Sequence, residues 1–369
     1  MNCSFKTGGN EMGIHFLTGF PGFVATELIH QLFKEGITKQ VFAVVLPSDL
    51  AKAKSKGTLI EGQYEGCQIV LFEGDITLPN LGLADEELAI INPKITFVWH
   101  LAAIYDFAVS REVAWKVNVH GTANVNDFVC RLEKLERYMY FSSACIAGKR
   151  KGAILEMELI RPIAFHNYYE ETKFEAELLV DDLKLELPIT IIRPGIIYGH
   201  SKTGVTQKFD GIYFLFNAVE YFKGKIVIPQ LGSKHTLLQM VSVDYIAEAS
   251  VRLCMLPEAA GETLHITGSQ PYTAAHIYQE IAKIMTGKKT FGILSLGIAK
   301  AMLEQPSIRK LVHVTSQTID YLDYEGKFDT KDFDKLIASS EITCCDLMET
   351  LPVLIKFYEE NKHLKSYYV

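Results

Sequence analysis

Ile14-His15-Phe16-Leu17-Thr18-Gly19-Phe20-Pro21-Gly22-Phe23-Val24-Ala25 is the stretch that decides the fold. A short β-like run ends in a turn with two glycines. Apolar residues then follow at helical spacing, at Val24, Leu28, Leu32 and Phe33, until Gly36 stops the pattern. Strand, glycine turn and helix in immediate succession make an anion cradle. Amides at a helix N-terminus attract a phosphate, and glycine lets the backbone approach it with no Cβ in the way. Ala25, the third small position, leaves room for the helix to pack on its strand. Thr18, Gly19, Phe20, Pro21, Gly22, Phe23 and Val24 are therefore the first candidate dinucleotide contacts.

Working outward, apolar runs recur at Val41–Leu46, Gln68–Phe72, Ile95–Trp99, Tyr138–Phe141 and Ile189–Ile192, with helical patterns between them, notably over Val117–Leu132 and Tyr169–Leu185. This alternation predicts an α/β chain: a doubly wound parallel sheet of Rossmann type over residues 13–200. Beyond Gly199 the alternation fades. Helical spacing over 212–222, Tyr245–Leu256, His276–Met285 and Ile298–Leu303 predicts a smaller, mainly helical substrate lobe over 201–369, with a strand near 263–267 returning to the main sheet. Residues 1–12 read as a polar, flexible tail, with Met12 as an alternative start.

The net charge of −7 comes without a dominant basic block, which argues against a nucleic-acid partner; Lys149-Arg150-Lys151 reads as a solvated loop. Seven cysteines with no Cys-x-x-Cys spacing point to a reducing cytoplasm. Cys344 and Cys345 have no histidine at ligand spacing, so no metal is expected. No run of eighteen apolar residues exists, and none is expected to span a membrane.

The ends of the later strands extend the cofactor reading. Asp75, followed by Ile76, either accepts a hydrogen bond from an adenine amino group or caps a turn. Leu101-Ala102-Ala103 lets backbone pass close to a ligand, His100 reads as a packed core histidine, and Asn118 organises that strand end. The second strand ends Leu46-Pro47-Ser48, without the carboxylate that favours NAD, and Lys52 and Lys54 follow. That leans the choice to NADP, with NAD the alternative, and makes Ser48 a candidate contact.

Tyr169 and Lys173 stand four apart in a helical pattern, so they share a face. A phenol with a pKa near 10 needs a shift of about three units to work near neutrality, and an ammonium beside it supplies part of that. Ser143 at the end of the fifth strand is placed to orient a reacting oxygen.

These residues resemble the extended short-chain dehydrogenase/reductase superfamily over roughly residues 13–270. The likeness rests on Thr18-Gly19-x-x-Gly22-x-x-Ala25, Gly74-Asp75, His100-Leu101-Ala102-Ala103, Asn118-x-x-Gly121-Thr122, Ser142-Ser143-x-x-x-x-Gly148, Tyr169-x-x-x-Lys173, Arg193-Pro194-Gly195 and Val243-Asp244. The stretch Ile192–Gly204 with Phe209-Asp210-Gly211 resembles the thioester-reductase and fatty-acyl-reductase branch, although Leu46 stands where that branch usually carries an arginine. The resemblance implies a Ser143-Tyr169-Lys173 catalytic set. It also implies cofactor contacts from Ser142, Pro194, Gly195, Ile196 and Ile197, and a homodimer through the helices holding Asn118 and Tyr169.

The expected reaction is hydride transfer between NAD(P)H and the carbonyl of an aldehyde, ketone or acyl thioester of apolar character. Ile104, Tyr105, Tyr198, Tyr213 and Phe214 are candidate walls for that small-molecule or acyl-thioester substrate. A nucleotide-sugar epimerase with retained NAD is the enzymatic alternative. Ala144 and Cys145 after Ser143 disfavour a dehydratase, which pairs the hydroxyl with Asp-Glu. A dinucleotide-binding regulator without turnover is the alternative of a different class.

Overall fold

Apolar runs that leave no polar face can form strands only if the sheet is covered on both sides, and that is how the chain folds. The computed structural model describes residues 13–105, 109–314 and 316–368. The tail expected over Met1–Met12 lies outside the described residues. Seven parallel strands make one sheet: β1 Ile14–Thr18, β2 Gln40–Val45, β3 Gln68–Glu73, β4 Ile95–His100, β5 Arg137–Phe141, β6 Ile189–Pro194 and β7 Thr263–Ile266. Their order is β7-β6-β5-β4-β1-β2-β3. The order reverses between β1 and β4, which opens a crevice at the carboxyl ends of those strands.

The principal helices are α1 Phe23–Lys34, α2 Leu50–Glu61, α3 Gly121–Val129, α4 Tyr168–Asp181, α5 Tyr213–Phe222, α6 Val243–Cys254, α7 Ala274–Thr286, α8 Leu296–Glu304 and α9 Leu347–Asn361. Phe16 and Leu17 are adjacent in β1, both fully buried, and serve opposite faces. Leu17 packs with Leu28 and Leu32 of α1 and Ile246 of α6. Phe16 packs with Val125 and Phe128 of α3 and Ala176 of α4. The expected helix over Val117–Leu132 begins as a wider π-type turn, Trp115–His120, before α3.

A third apolar cluster, built from α5, α7, α8 and α9, forms the lobe. The lobe is not one continuous segment. Within 201–369 the chain returns to the sheet side at α6, again at β7, and a third time at the helix Lys331–Ile337, whose Phe333 joins the cluster under α1. Glu156 fixes that third return. Its buried carboxylate accepts the backbone N–H of His265 in β7 (2.9 Å) and of Asp332 (2.7 Å) and Phe333 (3.3 Å). Burial, only partly offset by those bonds, pushes its pKa up to about 7. Among the described residues no helix is long and apolar enough to cross a membrane.

Candidate active site

One cavity of about 1000 Å³ begins at the glycine turn, passes the ends of β4, β5 and β6, and runs on into the lobe. At its start Gly19 has φ +93°, and a Cβ there would lie 2.9 Å from the Ala102 nitrogen. A Cβ on Gly22 would lie 2.6 Å from the Gly19 carbonyl oxygen, to which the Gly22 N–H already donates at 2.8 Å. Gly22 caps α1 without a side-chain acceptor, and the first turn carries no acidic residue. The amide groups at that N-terminus therefore face the cavity unneutralised, which suits a pyrophosphate. Lys56 from α2 donates to the Pro21 carbonyl at 3.1 Å and holds the turn from behind.

Gly19, Phe20, Pro21, Gly22, Phe23, Val24, Asp75, Ile76, Leu101, Ala102, Ala103, Ser142, Pro194, Gly195, Ile196 and Ile197 all line this cavity. Asp75 does so while its Oδ1 accepts the Thr77 N–H at 2.8 Å, so the turn-capping reading and the wall position coexist. The Ser142 hydroxyl is turned onto Glu177, whose buried carboxylate also takes the Nε of Arg193 at 2.9 Å.

Three candidates lie elsewhere. Ser48 is exposed on a single 3₁₀ turn, and Leu46, Asp49 and Lys52 reach the cavity in its place. The turn rotates the strand end outward, so the carboxylate absent at the end of β2 returns three residues later. Thr18 and Asn118 are buried behind the wall. Thr18 Oγ1 accepts the Ala102 N–H (3.2 Å) and contacts His100 Nδ1 (2.8 Å), His100 Nε2 contacts Thr122 Oγ1 (3.0 Å), and Thr122 donates to the Asn118 carbonyl (2.6 Å). These roles fit a neutral imidazole with the proton on Nε2. Burial, with Lys173 adding to it, drives the His100 pKa down to about 3. Asn118 takes the Ile104 N–H at 2.8 Å and gives its own amide to Thr172 at 3.0 Å, tying the loop after β4 to α4.

Ser143, Tyr169 and Lys173 converge on the middle of the cavity. Asn167 caps α4 by accepting the Glu170 N–H, which starts the helix at the turn that presents Tyr169 and, one turn on, Lys173. Lys173 Nζ donates to the Phe141 carbonyl (2.6 Å) and to the Tyr140 hydroxyl (3.2 Å). Its pKa falls to about 8 through burial, opposed by Glu177. The expectation that this ammonium acidifies the phenol is not met. Burial pushes Tyr169 above its ordinary value, Cys145 and Glu170 add to the rise, and a hydrogen bond from Ser143 offsets part of it. Two of the lysine's three N–H donors are spent on β5.

Of the candidate substrate walls, Ile104, Tyr105 and Phe214 line the cavity, and the Tyr105 ring stands edge-on to Tyr169 at 5.1 Å. Tyr198 and Tyr213 do not: both are packed inside the lobe cluster, Tyr213 between Phe209 and Phe216 at 5.1 Å from each. Leu215, from the aromatic segment 213–216 expected to wall the pocket, reaches the inner wall, which also includes Leu231, Met240, Leu294, Ala299 and Leu303, none of them singled out by the sequence. The wall as a whole comes from five separate segments at ordinary core spacing, so no local pattern distinguishes it. Asp210 also faces the cavity, its carboxyl pushed up to about 6 by burial. Tyr321 closes one side; its hydroxyl donates to Glu170 (2.5 Å) and accepts from Asn167 (2.9 Å), linking lobe and α4.

A family model described as male sterility protein, an NAD-binding domain, matches residues 17–250. The fatty acyl-CoA reductase wat of Drosophila melanogaster is 26% identical over 237 residues, 54% of this chain and 45% of that protein. An aldehyde reductase of Aspergillus flavus is 24% identical over 269 residues, 68% of this chain and 26% of that one. The chain thus spans less than half the length of either relative. Among solved structures, the terminal R domain of the myxalamid PKS-NRPS pathway superposes with a TM-score of 0.80 at 23% identity, covering 97% of this chain and 93% of that one. The UDP-glucuronic acid 4-epimerase of Bacillus cereus, solved with NAD, gives 0.66 at 18% identity over 94% and 99%.

Proposed function

Because the chain belongs to the male sterility protein family of NAD-binding domains, within the extended short-chain dehydrogenases/reductases, we propose that it reduces the carbonyl of a long apolar aldehyde or acyl thioester. The observation that carries this reading is the continuity of one cavity from the glycine turn, past Ser143 and Tyr169, into an inner chamber walled by aliphatic side chains. A sugar would need hydroxyl partners where Leu215, Leu231, Met240, Leu294 and Leu303 stand, so the chamber favours reduction over epimerisation.

In this mechanism Gly19, Gly22 and the α1 amides would hold the pyrophosphate, and Lys173 would hold the nicotinamide ribose. A dinucleotide held there would supply the hydride for the carbonyl carbon. Ser143 and Tyr169 donate hydrogen bonds to the carbonyl oxygen, and Tyr169 gives it a proton as charge develops there. The phenol is protonated at neutral pH, and the upward shift from burial works against the transfer rather than for it. The aliphatic chamber excludes water from the reacting carbon and takes the substrate's chain.

The test is NADPH consumption with aldehydes and acyl-CoA thioesters of increasing chain length. Activity on the long apolar members supports the proposal; turnover of UDP-sugars with none of carbonyls would overturn it. Ala299→Trp, which fills the inner chamber, is expected to leave short aldehydes unaffected and to cut kcat/KM for the longest by about tenfold or more.

For the cofactor we propose NADP(H), with Lys52 beside the 2′-phosphate and Asp49 limiting the preference. Lys52→Ala is expected to raise KM for NADPH about fivefold, the effect of one exposed charge pair, and to leave NADH unchanged. Asp49→Asn is expected to lower KM for NADPH. Equal responses of both dinucleotides would remove these residues from cofactor selection.

A further inference from the structure

The chain is acidic overall, yet residues 221–243 and 281–303 contain no Asp or Glu. Of the lysines there, Lys223, Lys283 and Lys300 pair with carboxylates of Glu220 and Glu359, of Glu280 and of Asp320, and Lys225, Lys234, Lys288 and Lys289 remain for the surface. The fold lays these segments side by side. The Phe291 N–H donates to the Ile228 carbonyl (2.9 Å), Gln230 to Gly292 (3.1 Å) and Leu294 to Gln230 (2.9 Å), which makes a short ribbon on the outside of the lobe. The ribbon is two-faced. Ile228, Leu231 and Leu294 point inward, the last two onto the inner chamber. Ile226, Phe291 and Ile293 point outward with 95%, 77% and 80% of their surface exposed.

Single exposed apolar side chains, such as Leu185, are ordinary. Three on one ribbon, with Ile298 exposed on the adjoining α8, are a protruding apolar ridge. Lysines stand at its base. Lys288 Nζ reaches the Lys225 carbonyl at 3.4 Å. The Lys225 ammonium lies 3.7 Å from the Tyr221 ring centroid and 5.0 Å from that of Phe222, two rings that wall the cavity on their other side.

We propose that this ridge seats the lobe on the surface of an anionic lipid bilayer, with Ile226, Phe291 and Ile293 entering the headgroup–acyl boundary and Lys225, Lys288 and Lys289 pairing with lipid phosphates and carboxylates. Two observations select a bilayer over an acidic protein partner. Protruding aliphatic and aromatic tips need an apolar phase that yields around them, whereas a folded protein surface must present matching pockets. On the proposed function, the side chains on the reverse of the ridge wall a chamber for long apolar carbonyl compounds, which partition into membranes. Binding of this kind needs no spanning helix, because apolar insertion and lysine attraction act together.

The experiment is flotation of the full chain with phosphatidylcholine vesicles, with and without phosphatidylserine. Binding to the anionic vesicles, weakened by salt, is expected. Lys288→Ala with Lys289→Ala is expected to weaken it about thirtyfold. Ile226→Ser, Phe291→Ser and Ile293→Ser together are expected to abolish binding even at low salt, which simple charge attraction would not predict. If the triple variant melts at a lower temperature, Ile226→Ser alone reads the same effect at a residue almost wholly in solvent. No binding by the wild type, or equal binding by the variants, overturns the proposal. So does protection of Lys288 and Lys289 from acetylation by an acidic carrier domain while vesicles give none.

Discussion

Tyr169→Phe is expected to reduce a long apolar aldehyde about 10²–10⁴-fold more slowly than the wild type, with KM for NADPH changed little. The substitution keeps the ring that packs edge-on against Tyr105 and removes only the hydroxyl, so packing is retained while the proton donor is lost. Stopped-flow measurement of the hydride step in both proteins checks this. Equal rates would remove Tyr169 from the chemistry. The pH profile adds a second reading. Burial places Lys173 near 8, so the lysine is charged below that value and loses its proton as pH rises through it. If its charge holds the ribose, kcat/KM for the dinucleotide falls above pH about 8. Tyr169, raised rather than lowered, contributes no loss of proton in that range.

The largest expected effect on stability comes from Glu177→Ala. Glu177 and Arg193 are almost fully excluded from solvent, and the same carboxylate also receives the Ser142 hydroxyl. Removing the carboxylate leaves a buried guanidinium with its Nε unpaired and a serine hydroxyl without its acceptor. Breaking such a pair from one side costs about 3–5 kcal/mol. Urea unfolding is expected to show that loss, and Glu177→Gln, which keeps an acceptor for Ser142, a smaller one. An unchanged midpoint for Glu177→Ala would mean that water reaches Arg193. Since Glu177 also opposes the fall in the Lys173 pKa, the variant is expected to shift the dinucleotide pH profile to lower pH.

The sheet was legible because its strands are covered on both faces and so read as continuous apolar runs, and because glycine at 19 and 22 answers a steric demand that nothing larger meets. The central residues were legible for a similar reason: Tyr169 and Lys173 are fixed to one face by helical spacing alone. What lay outside local pattern was lost. Ser48 was misplaced because one 3₁₀ turn after β2 turns it outward and brings Asp49 and Lys52 in. Tyr198 and Tyr213 read as pocket walls because an aromatic run looks alike whether it faces a cavity or a core. The direction of the Tyr169 shift is set by burial among segments distant in the chain, which no local pattern shows, and the lysine tip is held by the Phe141 carbonyl, 32 positions away.

The repeated return of the C-terminal half to the sheet bears on how this protein can be re-engineered. A chimera that exchanges everything after residue 200 for a relative's counterpart would also exchange β7 and the helix carrying Phe333, setting β6 against a foreign edge strand and the Glu156 carboxylate against foreign amides. Specificity is better transplanted as separate patches, α5, the ribbon with α8, and the Tyr321 turn, stitched around a native β7. Recombination libraries with crossovers at those points should yield far more folded progeny than libraries cut once at the apparent domain boundary.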